Sequence, residues 1–200
     1  MKFARVMLDG KIWNAGERDG QLILDNSQLV AFDAVQWLPP LNPVPMSRTI
    51  LALGLNYADH AKELAFSKAP EEPLAFLKGE SALNGHRQFT RRPDGVEFMH
   101  YECELTVVIG KEAKGVKRDD AYDFIAGYTV ANDYAIRDYL ENWYRPNLRV
   151  KNRDGATVLG PWFVPASELA DPHALTLRTL VNGRVTQQGN TSNMVNDIPA

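Results

Sequence analysis

The sequence predicts an α+β chain that is mainly β, and three features predict it. Apolar and polar residues alternate through 101–109 (YECELTVVI), the period of a strand and not of a helix. Asp9-Gly10, Asp19-Gly20 and Asn182-Gly183 are hairpin-turn pairs. Stretches of helical pattern are short and end at glycine or proline, as 119–126 does before Gly127.

The first forty residues read as short strands joined by the first two turns. Pro39-Pro40-Leu41-Asn42-Pro43-Val44-Pro45 then interrupts regular structure, because proline lacks the backbone donor and restricts the residue before it. The expected division is a small N-terminal β module at 1–45 and a larger unit at 46–200. Residues 49–55 are expected to form a short buried strand, running into a helix at 56–64. His60 and Glu63, three apart, would share one face of that helix, and a carboxylate beside an imidazole orients a general base. An exposed helix with two incidental polar residues is the plainer reading of that pair. Residues 74–77 are apolar and strand-like, and Lys78 follows them as a site cation or a solvated lysine.

The centre of the chain carries the chemistry. Alternate residues of a strand share a face, so Glu102 and Glu104 aim two carboxylates at one place while Cys103, Leu105 and Val107 pack behind. Two such charges repel unless a proton or cation lies between them. A solvated face is the ordinary meaning of Glu-x-Glu on a strand; the apolar run 105–109 argues instead for burial. Residues 119–126 read as a short helix capped by Gly127, and 127–131 as a strand that ends at Asn132-Asp133. Carboxylates of Glu102, Glu104 and Asp133 together suit a hard divalent cation, Mg²⁺ first, with Mn²⁺ or Ca²⁺ as alternatives. Beyond them, 137–144 suits one or two helical turns, and 149–155 a charged strand end and turn bearing Lys151. Residues 160–165 suit an edge strand, 175–188 a hairpin around Asn182-Gly183, and 196–200 a helix start.

Composition narrows the function classes. In 200 residues, 44% are hydrophobic and 24% charged, ordinary for a water-soluble domain. A formal net charge of −3 without a basic stripe argues against a nucleic-acid surface. The single cysteine, Cys103, excludes an internal disulfide and fits a reducing cytoplasm. The start of the chain lacks a signal-peptide core, and no apolar run reaches membrane-spanning length, so no membrane partner is expected.

Together these residues resemble the fumarylacetoacetate hydrolase family from about Thr49 to Ala200. The matching runs are Gly54 to Glu63 (G-x-N-Y-x-x-H-x-x-E), Phe76-Leu77-Lys78, Tyr101 to Leu105, Gly127 to Asp133, Arg137-Asp138 and the turn from Lys151 to Gly155. The resemblance implies a mixed β-barrel or roll. It also implies Glu102, Glu104 and Asp133 as metal ligands, His60 and Glu63 as an acid–base dyad on a lid-like helix, and Lys151 as an active-site cation. Arg137 and Lys78 would meet the substrate. The runs 132–142 and 144–151 resemble members that decarboxylate and isomerise 2-oxo-ene di- and tricarboxylic acids in homoprotocatechuate degradation. A small 2-oxo acid is therefore the expected partner, and a homodimer the expected assembly. Leu140 and Leu55 stand where many hydrolase members carry Gln and Arg, which weakens a generic acylpyruvate-hydrolase reading; acylpyruvate hydrolysis or oxaloacetate decarboxylation is the alternative within the family. The family continues with a helix, further strands and a Thr-Gly-Thr-Pro-x-Gly loop that this sequence does not contain. The barrel is thus expected to be incomplete at the C-terminus, and a non-catalytic metal-binding protein is the expectation of a different class.

Overall fold

Each of the three expected hairpin pairs makes its turn with both residues at positive φ: 51° and 73° at Asp9-Gly10, 50° and 76° at Asp19-Gly20, 51° and 78° at Asn182-Gly183. That geometry matches the twist of antiparallel strands, which is why Asp or Asn followed by Gly is selected there. In the computed structural model, which describes residues 1–41, 49–58, 72–140 and 147–200, the first two turns join β1 (Ala4–Leu8), β2 (Lys11–Arg18) and β3 (Gln21–Leu24). With β4 (Leu29–Val30) and β5 (Gln36–Leu38) these form an antiparallel sheet in the order β4-β3-β2-β1-β5. Its buried face carries Val6, Leu22, Leu24, Val30 and Trp37.

Two short strands follow, β6 (Ile50–Gly54) and β7 (Leu74–Lys78), paired antiparallel with Ala52 opposite Phe76. The sheet that carries the acids comprises β8 (Leu83–Gly85), β10 (Cys103–Ile109), β11 (Ile125–Asp133) and β13 (Thr157–Leu159), in the order β10-β11-β13-β8. Between β8 and β10 lies β9 (Met99–His100), which pairs with β12 (Ala135–Ile136), while β14 (Val164–Pro165) pairs with β11. The last hairpin is β15 (Thr176–Val181) with β16 (Arg184–Asn190). One short α-helix, α1 (Leu148–Lys151), is present among the described residues. The architecture is mostly β, and among the described residues the strands form separate sheets and no closed barrel.

The two larger sheets meet backbone to backbone. Phe3 and Phe163 exchange main-chain hydrogen bonds of 3.0 and 2.7 Å, and their rings lie 4.8 Å apart. Trp37 meets His86 and Trp162 edge-on. At Gly85 a Cβ would come within 2.1 Å of the Trp37 carbonyl oxygen, so only glycine admits this approach.

Several expectations are corrected. The helix expected at 119–126 is a 3₁₀ helix, Arg118–Phe124, and Gly127 does not cap it. Gly127 lies inside β11, where a Cβ would strike the Val164 carbonyl oxygen at 2.3 Å and the Phe163 ring at 2.5 Å. Lys151 stands at the end of a helix, not of a strand. The turns expected at 137–144 reduce, among described residues, to a 3₁₀ turn at Arg137–Tyr139, and 196–200 form a turn. The strand 49–55 is not buried: Leu51 is 61% exposed and its cross-strand partner Leu77 57%, so this face of the β6–β7 ribbon lies open. Likewise β10 and Cys103 are half-buried, β10 being an edge strand. No helix among the described residues is long and apolar enough to cross a membrane.

Candidate active site

The register of β10 on β11 explains how the acids come together. Cys103 pairs with Asn132, so Glu102, one residue before β10 begins, lies opposite Asp133, the last residue of β11. The Asp133 amide donates to the Glu102 carbonyl at 2.9 Å, which extends the ladder by one rung. Cross-strand partners share a face, so Glu102 and Asp133 face the same way, and Glu104 follows two residues on.

Cations arrive from three other elements. Lys78 ends β7, Lys151 ends α1, and Arg137 begins the 3₁₀ turn after β12. The Lys78 ammonium donates to Asp133 Oδ1 and to the Lys151 carbonyl. The Lys151 ammonium donates to Glu102 Oε2, and to Asp133 Oδ2 at 3.0 Å. Arg137 Nη2 donates to Glu102 Oε1 at 2.5 Å. Lys78 and Lys151 are each 5% exposed and Asp133 7%. Buried ammonium groups persist only where such partners compensate their desolvation. Burial still pushes the Lys78 ammonium below its ordinary pKa, against the pull of Asp133. The five side chains Lys78, Glu102, Asp133, Arg137 and Lys151 thus form one bonded cluster.

Glu104 stands beside the cluster outside that bonding. Burial first, and the neighbouring Glu102 charge second, raise its carboxyl from an ordinary 4.5 to about 8. As placed, no three His, Cys, Asp or Glu side chains among the described residues are gathered closely enough to hold one ion, since the Lys151 ammonium lies between Glu102 and Asp133. The donor chemistry nonetheless suits a hard divalent cation: three carboxylates on two adjacent strands, one of them holding its proton because it is buried beside another acid. His60 and Glu63 lie outside the described residues.

Residues to which the sequence assigned no site role support the cluster. His100 Nδ1 accepts from Arg137 Nε at 3.2 Å. The Asp138 carboxylate accepts from the Glu97 and Phe98 amides, both at 2.8 Å, which fixes the approach to β9. Asn152 ties α1 to β7, accepting from the Gly79 amide at 2.5 Å and donating to the Leu77 carbonyl at 3.0 Å. Adjacency of Asn152 to Lys151 is the one signal that could have singled it out.

Known proteins place this arrangement. Residues 49–200 match the family described as fumarylacetoacetate (FAA) hydrolase C-terminal. The chain belongs to that family. Among fumarylacetoacetate hydrolase family relatives, it is 60% identical over 151 residues to the homoprotocatechuate catabolism bifunctional isomerase/decarboxylase of Escherichia coli, covering 76% of this chain and 35% of that one. It is 57% identical over 157 residues to the 4-hydroxyphenylacetate degradation bifunctional isomerase/decarboxylase of Salmonella dublin, covering 78% and 36%. The chain therefore spans about a third of the length of these curated relatives. A solved structure of 5-carboxymethyl-2-hydroxymuconate delta-isomerase from Mycobacterium smegmatis is similar over 100% of this chain and 78% of its own, with 32% identity and a TM-score of 0.78.

The Glu104 proton has a measurable consequence. Without metal, the folded protein keeps this proton up to about pH 8, while the unfolded chain releases it near 4.5. A raised carboxyl pKa stabilises below the unfolded value, and that contribution is lost as pH rises through the folded one. Chelator-treated protein is expected to lose melting temperature steadily between pH 5 and 8, and Glu104→Gln to flatten that slope. An unchanged slope in the variant, followed by thermal denaturation, assigns the titration elsewhere.

Proposed function

We propose that this chain carries the site of a divalent-metal-dependent decarboxylase and isomerase of 2-oxo-ene di- and tricarboxylic acids, working in homoprotocatechuate degradation. The observation that carries the reading is the convergence of Lys78, Lys151 and Arg137 on Glu102 and Asp133 beside Glu104. The identity to isomerase/decarboxylases supports the choice of substrate class.

Glu102, Glu104 and Asp133 would hold the cation, Mg²⁺ first, which when bound supplies Lewis acidity where negative charge develops on the substrate's C2 oxygen. Lys151, released from its carboxylate partners, neutralises a substrate carboxylate at the same place. Arg137, whose planar guanidinium matches a carboxylate, takes a distal one, and its hold on His100 keeps it oriented. Lys78 stays on Asp133 and the Lys151 carbonyl, and so positions both rather than touching substrate. His60 with Glu63, the acid–base pair that the resemblance implies, would move the proton from the dienol oxygen to a distant carbon during isomerisation. Decarboxylation leans less on that dyad, because its electrons flow toward bound positive charge.

The test uses the seven-carbon dienol diacid and the decarboxylase substrate, with oxaloacetate and an acylpyruvate as competitors. Turnover of the first two should dominate, vanish with a chelator and return with Mg²⁺. His60→Ala should lower isomerisation roughly 10²–10⁴-fold and decarboxylation less. Preference for oxaloacetate, or turnover indifferent to chelation, would set the reading aside.

A further inference from the structure

A buried phenol beside the acids has no partner. The Tyr57 hydroxyl is sealed from solvent and makes no hydrogen bond in the structure. It faces the edge of β10, with the Leu105 amide pointing toward it short of hydrogen-bond geometry and the Glu104 carboxyl nearby. Burial, then the Glu104 charge, raise its pKa, so it stays a protonated donor.

Its position is fixed with unusual redundancy. Leu55 takes a left-handed conformation, φ 57°, and turns the chain out of β6. Asn56, 8% exposed, then grips Asn196: its Oδ1 accepts from the Asn196 amide at 2.9 Å and side chain at 3.0 Å, and its Nδ2 donates to the Asn196 carbonyl at 3.0 Å. The Asn56 carbonyl accepts from the Val195 amide at 2.8 Å, and Tyr57 itself bridges Met194. Two segments far apart in sequence are thus locked around one tyrosine whose hydroxyl bonds to nothing. Buried polar groups are nearly always satisfied, so an orphan this firmly held calls for an acceptor that arrives from outside.

We infer that Tyr57 is a further substrate-binding residue, donating its hydroxyl proton to an oxygen of a 2-oxo carboxylate seated beside Glu104. This rests on the function proposed above and adds a contact to that same site. A phenol O–H suits that role, since its bond strengthens as the acceptor gains negative charge and it brings no charge of its own to a crowded site.

The test is Tyr57→Phe, which removes one oxygen and keeps the ring. The probe is oxalate, a planar mimic of the adjacent oxygens of a 2-oxo acid, titrated calorimetrically into the full chain with saturating Mg²⁺. Oxalate affinity should fall roughly 10- to 100-fold, while Mg²⁺ affinity and melting temperature do not fall. A tyrosine without a ligand role predicts the same unreduced melting temperature, since deleting an unsatisfied hydroxyl costs no stability, but leaves oxalate binding untouched. Equal oxalate affinity in variant and wild type overturns this inference alone. Absence of oxalate binding by the wild type overturns it together with the proposed function.

Discussion

Asp133→Asn is expected to abolish turnover and to cost about 3–5 kcal/mol of stability, the range for removing one partner of a buried ion pair. The size follows from what Asp133 faces. It takes the Lys78 ammonium on one oxygen and the Lys151 ammonium on the other. Lys78 is the more dependent, since its side chain is 1% exposed and its only other acceptor among the described residues is the Lys151 carbonyl. Asparagine still accepts one hydrogen bond but supplies no charge, and an ammonium sealed from water is left uncompensated. Lys78→Met in the Asp133→Asn background should recover most of the lost stability and none of the activity. Denaturant titration of the two single variants and the double variant reads the coupling. If the double variant is no more stable than Asp133→Asn, Lys78 is not what Asp133 stabilises.

Gly85→Ala should be nearly as disruptive, on a strand that bears none of the acids. The added carbon would lie 2.1 Å from the Trp37 carbonyl oxygen and 2.7 Å from the carbonyl carbon, and neither backbone atom can swing aside as a side chain would. Relief requires β5 to part from β8. That also loosens Trp37 from His86 and Trp162, the aromatic contacts that hold the first sheet on the second. A loss of several kcal/mol is expected, of the order seen for overpacking without an escape route. Tryptophan fluorescence should shift toward the solvent-exposed range well below the melting temperature of the rest. Gly10→Ala, whose added carbon would meet nothing within 4 Å, is the comparison that separates a clash from turn strain. Similar stability of the two variants would mean that the close approach contributes little.

Local chemistry made much of this fold legible. Asx-Gly pairs between alternating apolar runs give their turn geometry locally, and the three expected to form hairpins did so, whereas Asn84-Gly85 lies within β8. Alternation around Glu104 is likewise local, and it placed β10 and the shared face of Glu102 and Glu104. Burial was harder to read, because it depends on what packs from elsewhere. Leu51 and Leu77 are apolar in sequence, yet the ribbon they belong to has one open face. Gly127 looked like a helix cap because its neighbours carry helix-start acids; its requirement is long-range, set by Val164 and Phe163. In the candidate site, Lys78 and Lys151 lay inside the runs that carry the resemblance, which implied site cations but not their partners. That they share Asp133 depends on β7 and α1 ending at one spot, a property of tertiary arrangement. His60 and Glu63 lie outside the described residues.

The cluster also bears on how a ligand finds it. Below about pH 8, Glu104 carries its proton, so Lys78, Lys151 and Arg137 set three positive charges against the two of Glu102 and Asp133. A chain whose formal net charge is −3 therefore holds a small positive focus at the ends of β10 and β11. An approaching polyanion meets net repulsion at long range and attraction toward this spot. Field lines concentrated by low-dielectric walls convert that contrast into orientation during diffusion, before any contact forms. The preference is a property of encounter rather than of the bound state, and it fades as mobile ions shorten the reach of the field to about 10 Å at 0.1 M salt.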